Sequence, residues 1–360
     1  MMKAVAASVM ANNHIERPTL RRERFDGRAE PWRACRRAGA PSTVRTRRGF
    51  AVILLAVACF SCARKDKKIV AVVPKGNAQM YWQSLHAGAN KAGREDGAEI
   101  VWSGPPSETD YNGQLQIVDA MINRRVDAIV LAPIDRKVLV NVVERAAREK
   151  IPVVITDSGI DTTQYAARVA TDNFHAGEIA AERVGQILNS KGTVAMVMVQ
   201  PGGASTMARE EGFEKKLASA YPGVRIVARQ YGWADFTKSL NAAENILTAH
   251  PDLDAIFASN ESSTVGAAQA IKARGSKVKL VGFDFSPMLL EDLKSGVIDS
   301  LVVQDPFRMG YESVKAALAA IQGKPVRKEQ DMPPRLIDRN SLSQPDVQAQ
   351  LNPDVKKYLD

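Results

Sequence analysis

The sequence predicts an α/β protein of two doubly wound parallel-sheet domains, and three observations carry that expectation. Short β-branched runs alternate with stretches of helical spacing from Lys67 to about Leu342. The strand runs are apolar almost throughout, as in IVAVV at Ile69–Val73, which marks strands covered on both faces. The pattern breaks near residue 171 and starts again, so the strands fall into two groups. An eight-fold barrel is the alternative fold, and the two groups and the short connector at 168–171 count against it.

The elements follow in order. Ile69–Val73 is a strand ending at Pro74, and Tyr81–Asp96 is a helix with Leu85, Ala89 and Ala92 on one face and Gly97 as its stop. Ile100–Trp102 is a strand, and Tyr111–Ile122 a helix that aligns Leu115, Val118 and Ile122. Val126–Leu131 is a strand ending at Ala132-Pro133, Val138–Glu149 a helix and Pro152–Thr156 a strand. Val169 opens a short connecting strand, after which Ala176–Leu188 is helical. The second group places strands at Thr193–Val199, Val224–Ala228, Ala255–Ala258, Lys279–Phe283 and Ser300–Val303. Its helices are Ser205–Ala220, Thr237–His250, Ser262–Arg274, Met288–Ser295 and Met309–Gln322. A last short strand near Leu336-Ile337 precedes a polar tail at 346–360.

Charge is informative only once it is located. Of 49 basic and 40 acidic residues, 14 and 5 fall within residues 1–66, which leaves 35 of each beyond. The net charge of +9 therefore belongs to the N-terminal region, and the body gives no overall charge reason to bind nucleic acid. Three cysteines make no disulfide framework, and His14, His86, His175 and His250 are too scattered to suggest a metal site.

Within that region, Arg45, Arg47 and Arg48 precede an apolar run from Phe50 to Ala58. The run has about ten residues, too short for the roughly twenty of a membrane-spanning helix, and fits a secretory signal over residues 44–62. Ala56-Val57-Ala58-Cys59 resembles a bacterial lipoprotein box, in which the cysteine is lipidated and becomes the mature N-terminus. That family usually has Leu where Ala56 stands, and Cys62 is a competing site with a poorer flank. A redox reading of Cys59-Phe60-Ser61-Cys62 fails, because such a pair should open a helix and this one ends an apolar run. Since a signal peptide should begin a chain, translation is expected to start near Val44, with residues 1–43 a non-native extension or a disordered arm.

Ligands of open α/β sheets bind beyond the carboxyl ends of the strands. The residues there are Lys75, Asp135, Asp157-Ser158, Asp172-Asn173, Gln200, Trp233, Asn260-Glu261, Asp284 and Gln304-Asp305. Tyr81, Trp82 and Trp233 add flat apolar faces. Carboxylates and amides bind sugar hydroxyls bidentately, and the C–H face of a sugar ring packs on an aromatic ring, so the set suits a polyhydroxylated ligand. Catalysis finds less support. No Gly-rich phosphate loop, G-x-S-x-G elbow or H-E-x-x-H is present, and no catalytic residue or cofactor is assigned. Asp157 and Asp284 could form a hydrolase carboxylate pair as far as spacing alone can say.

These residues carry a resemblance. The stretches VVPKGNAQMYW (Val72–Trp82), DAIVLAPID (Asp127–Asp135), PVVITDS (Pro152–Ser158) and ATDN (Ala170–Asn173) are similar to the bacterial periplasmic sugar-binding proteins of the ribose type. So are AREEGF (Ala208–Phe213), LTAHPDLDAIFASNE (Leu247–Glu261), VGFD (Val281–Asp284) and VVQDPFRMG (Val302–Gly310). The type I fold of that family is shared with the effector domain of lac-repressor-like regulators.

The resemblance implies two domains, 67–171 plus 305–334 and 172–304 plus 335–345, joined by three crossovers near Thr171-Asp172, Gln304-Asp305 and Pro333-Pro334. It implies one ligand in the cleft, held by Lys75, Tyr81, Trp82, Asp135, Asp157 and Asp172 from one side and the first crossover. Arg209, Trp233, Asn260 and Asp284 would hold it from the other side, with Gln304 at the hinge. Asn260 and Asp284 are expected to face the cleft most surely; Asp172 and Asp135 have helix capping as their alternative. The implied protein is a monomeric, lipid-anchored, periplasmic binding protein that delivers a sugar or polyol to an ABC importer by hinge closure. A sensory protein presenting its ligand to a membrane kinase or chemoreceptor would share every one of these residues. A transcriptional regulator would need a helix-turn-helix ahead of the core, and residues 1–66 have no such pattern. Ribose-type members usually carry Asp-Arg where this chain has Asp157-Ser158, whereas Lys75 brings a cation to the first strand end. A moved charge would suit an acidic or phosphorylated sugar, or a different hydroxyl pattern.

Overall fold

A computed structural model describes residues 67–359. The signal, lipidation and extension expectations, with Cys59, lie outside these residues. The described residues build two sheets. In lobe one come β1 (Ile69–Val73), α1 (Met80–Asp96), β2 (Glu99–Trp102), α2 (Tyr111–Asn123), β3 (Ala128–Leu131), α3 (Val140–Arg148), β4 (Val153–Thr156) and β5 (Ala167–Thr171). The chain then enters lobe two with α4 (Asn173–Ile187), β6 (Gly192–Met198), α5 (Ala204–Ala220), β7 (Val224–Tyr231) and α6 (Phe236–Ala249). Next come β8 (Ala255–Ala258), α7 (Glu261–Arg274), β9 (Lys279–Phe283), α8 (Pro287–Ser295) and β10 (Ser300–Val303). It returns to lobe one for α9 (Pro306–Ile321) and β11 (Glu329–Met332), then crosses again to β12 (Arg335–Asp338). Two helices end it, α10 (Pro345–Leu351) and α11 (Val355–Leu359).

The sheets repeat one order, β11-β5-β4-β3-β1-β2 in lobe one and β12-β10-β9-β8-β6-β7 in lobe two. All pairings are parallel except β12 with β10, so the second sheet is mixed at its edge. Central strands such as β3 and β8 are buried at every residue, since helices cover both faces. Each sheet consequently has an apolar cluster on either side. In lobe one, Val70, Leu85 and Met309 pack on one face and Ile122, Ile129 and Val143 on the other. In lobe two, Ile246, Ile271 and Leu293 oppose Val184, Phe213 and Phe257.

Local chemistry sets the helix ends. Asp110, Asp172, Asp235, Asn260, Ser286 and Asp305 each accept a backbone N–H as N-caps, and α1 ends at Gly97 in the left-handed region. Helices α4 and α5 approach so closely that a Cβ on Gly177 would lie 1.9 Å from the carbonyl oxygen of Arg209. That contact presses the Arg209 turn of α5 against lobe two's first helix.

Four features differ from the sequence expectation. β5 is a full strand of the first sheet instead of a short connector, and β7 runs on to Tyr231. β11 had no apolar signal, because EQDM sits at a sheet edge where Arg168 pairs with Glu329 and Asp331. The tail is not merely polar: Val347 and Leu351 of α10 are buried.

Candidate functional site

The carboxyl ends of both sheets face one another across a seam, and a charged cluster fills it. From lobe one, Lys75 follows β1 and Asp157 follows β4; their Nζ and Oδ2 are 2.6 Å apart and both residues are buried. Lys75 Nζ also donates to Ser205 Oγ of lobe two at 3.0 Å. Tyr81, at the start of α1, donates its hydroxyl to Asp157 Oδ1 at 2.8 Å. Burial and the neighbouring Asp157 push the Tyr81 phenol well above its usual range, so it stays a donor.

From lobe two come Arg209 and Asp284. Arg209 is only 2% exposed, with its guanidinium carbon 3.4 Å from the centroid of the Phe283 ring. Its Nη1 donates to the carbonyl of Ser259 and its Nη2 to Asn173 Oδ1 at 2.7 Å, whereas Nε has no partner among the described residues. Asp284 accepts Gln304 Nε2 at 2.7 Å and the backbone N–H of Glu261 at 3.0 Å. Burial raises the Asp284 carboxyl, while the Arg209 charge and these bonds pull it back. Gln304 accepts Thr171 Oγ1 at 2.7 Å, tying two hinge segments together beneath the cluster. A cavity of about 10 Å³, enough for one water, lies beside Tyr81, Asp284 and Gln304.

Two further carboxyls, Glu261 and Glu108, border the seam, and a third, Glu210, is buried beside Arg209 within lobe two. Glu261 of lobe two accepts the backbone N–H groups of Met80 and Tyr81 at 3.3 and 3.2 Å, and burial with Asp284 raises it to about 8. Glu108, in the loop after β2, accepts Trp82 Nε1 at 2.8 Å and is raised by burial to about 7. Glu210 accepts Ser259 Oγ at 2.7 Å and is likewise raised to about 7. Lys75 and Arg209 thus face Asp157, Asp284 and a set of carboxyls that burial keeps partly protonated. Lys75 is therefore shared between Asp157 of its own lobe and Ser205 of the other.

Of the expected residues, Lys75, Tyr81, Asp157, Arg209, Asp284 and Gln304 meet in this cluster. Trp82 stands edge-on to Tyr81, ring centroids 4.9 Å apart, and is buried in the lobe-one core. Four others are placed differently. Asp172 is exposed and caps α4 through His175 N, because the following residue, Asn173, is the one turned inward to Arg209. Asn260 is buried at the carboxyl end of β8 and uses its Oδ1 to cap α7 through Ser263 N, so its part in the site lies between capping and lining. Asp135 caps its own loop through the backbone of Lys137 and Val138 and stands at the rim against Gly202. Trp233 is 41% exposed beside Tyr231, outside the buried cluster.

Asn173, Ser158 and Glu261 were visible at strand ends, but nothing in the sequence says which member of each pair turns inward. Ser205, which receives Lys75, and Gln79, whose Nε2 reaches the Ala234 carbonyl across the seam at 3.3 Å, carry no sequence signal.

A family model described as "periplasmic binding protein domain" matches residues 70–325. The chain is 30% identical over 256 residues to a ribose import binding protein of Bacillus subtilis, covering 71% of this chain and 82% of that one. Similarity to a D-ribose/D-allose-binding protein of Pseudomonas aeruginosa is also 30%, with 74% and 86% covered. Among solved structures, a carbohydrate transporter solute binding protein from Agrobacterium radiobacter in complex with D-arabinose superposes with a TM-score of 0.78 at 35% identity, covering 80% and 99%. A solute binding protein from Agrobacterium vitis with bound D-fucose gives 0.77 at 32%, covering 79% and 100%.

Proposed function

The chain belongs to the periplasmic binding protein family, and from that membership we propose that it captures a sugar or polyol between its lobes and hands it to an ABC importer. The observation that carries this reading is the buried set Lys75, Tyr81, Asp157, Arg209, Asp284 and Gln304, drawn from both lobes and the hinge. Its carboxylates and amides accept from and donate to hydroxyls, and each is already held by a neighbour, so a ligand meets a preorganised surface. A ligand touching both lobes binds the closed form better than the open one and so drives closure. The protein binds without turnover and works in the periplasm. It is held to the membrane through Cys59 and acts as a monomer without cofactor. Asp135, Asn260, Trp82 and Trp233 border the site, and Asn260 contributes through the α7 terminus it caps.

Calorimetry of the full chain with D-ribose, D-allose, D-arabinose, D-fucose and myo-inositol tests the reading. Reversible, saturable binding of at least one, recovered unchanged by chromatography, supports it. Heat from none of them, or recovery of a cleaved product, refutes it. Mass spectrometry of the envelope fraction tests the anchor: a diacyl mass on a peptide beginning at Cys59 supports it, and an unmodified Cys59 refutes it.

A further inference from the structure

The chain continues past the last sheet strand and spans the lobes once more. Helix α10 is anchored in lobe two, where Val347 and Leu351 are buried with Leu289, Leu293 and Ile337. Three residues later, α11 lies along α1 of lobe one. There Asn90 Nδ2 donates to the Tyr358 carbonyl at 2.8 Å and Arg94 Nη1 to the Lys357 carbonyl at 2.7 Å. The Tyr358 and Phe307 ring centroids are 5.9 Å apart. Between the helices only Asn352-Pro353-Asp354 bridges the lobes, and a cavity of about 590 Å³ separates it from Met80, Ser84, Phe285 and Leu290.

The two ends are unequal. α10 buries apolar side chains, whereas α11 has no buried residue and holds lobe one by surface contacts. Three residues reach at most about 11 Å when fully extended. A rotation that carries α1 away from lobe two beyond the linker's slack must therefore pull α11 off before it disturbs α10. The strap also touches the hinge: Gln350 Nε2 donates to the Gln304 carbonyl at 3.1 Å, on the residue whose side chain holds Asp284.

We propose that residues 345–359 form a strap that favours the closed arrangement of the lobes, with α10 as its fixed anchor and α11 as its releasable end. The strap deepens the sugar-capture reading and rests on it for its effect on affinity. A closed form that is more populated before the ligand arrives leaves less of the binding free energy to be spent on closure.

The experiment truncates the full chain after Asn352 and follows amide hydrogen exchange without ligand. The Met80 and Tyr81 amides, which donate to Glu261, and the Ser205 amide, which donates to Ser158 Oγ, report opening of the seam. The expected result is exchange at these amides about fivefold faster, the worth of roughly one hydrogen bond, with the β3 and β8 amides unchanged. A second variant, Asn90→Ala with Arg94→Ala, keeps the chain intact and should show the same change. Unchanged seam exchange in both variants overturns the proposal. Faster exchange throughout the sheets also overturns it, since the strap would then support the fold and not the closure. With whichever of D-ribose or D-arabinose binds, the truncated chain should bind about fivefold more weakly. The exchange measurement needs no sugar, so its failure and the failure of the sugar reading are separate results.

Discussion

Asp157 and Asp284 hold the same place in the two lobes. Each follows the third strand of its sheet's order, β4 and β9, and each is buried in the left-handed region, at φ 62° and 66°. Asp tolerates that region better than most residues, at a cost of about 1 kcal/mol or more that the surrounding bonds offset. The turn carries each side chain off the strand axis and into the seam. The partners then differ: Lys75 with Asp157, and Gln304 with the Glu261 amide on Asp284. A duplicated frame thus presents two unlike halves to one ligand.

Stability should fall as pH rises towards 8. Glu108 and Glu210 are raised to about 7 and Glu261 to about 8, so the folded chain binds more protons than the unfolded one above the ordinary carboxylate range of about 4.3. Their contribution is present at pH 4 to 5 and is lost as pH climbs through the folded values. Glu261→Gln should flatten the upper part of the melting-temperature profile between pH 6 and 9; an unaltered slope counts against the assignment.

Neutralising one member of the Lys75–Asp157 pair should cost more than removing both charges. Lys75→Met leaves a buried carboxylate without its cation and should destabilise by about 3 kcal/mol in urea unfolding. The double variant Lys75→Met/Asp157→Asn should recover most of that stability while sugar binding stays lost. A double variant no more stable than the single one would show that the pair is not coupled.

Neighbouring residues at the first crossover should separate capping from binding. Asp172→Ala removes the α4 cap and should cost about 1 kcal/mol of stability with sugar affinity unchanged. Asn173→Ala removes the Arg209 Nη2 partner and should weaken binding about tenfold, the loss of one hydrogen bond to a charged group. Calorimetry on both variants with the sugar that binds decides it, and the reverse pattern would place Asp172 in the site.

Gly177→Ala should lower stability by about 3 kcal/mol, because the new methyl meets the Arg209 carbonyl and α4 must move off α5. A melting temperature like that of the parent chain would show that the helices part cheaply.

The order of the strands from β1 to β10 with β12, the helices from α1 to α9, their division into two groups and the loops that hold polar residues were determined by sequence alone. Those features are local: apolar runs of β-branched residues, helical spacing and caps act through near neighbours. Which polar residue turns inward was decided by tertiary structure. Asn173 and not Asp172 reaches Arg209, and Asn260 caps its helix while Glu261 spans the seam, because backbone angles at the strand ends aim each side chain. The partner of Lys75, the polar edge strand β11 and the path of the tail back to α1 rest on contacts between residues far apart in the chain. No window of sequence contains both halves of such a contact.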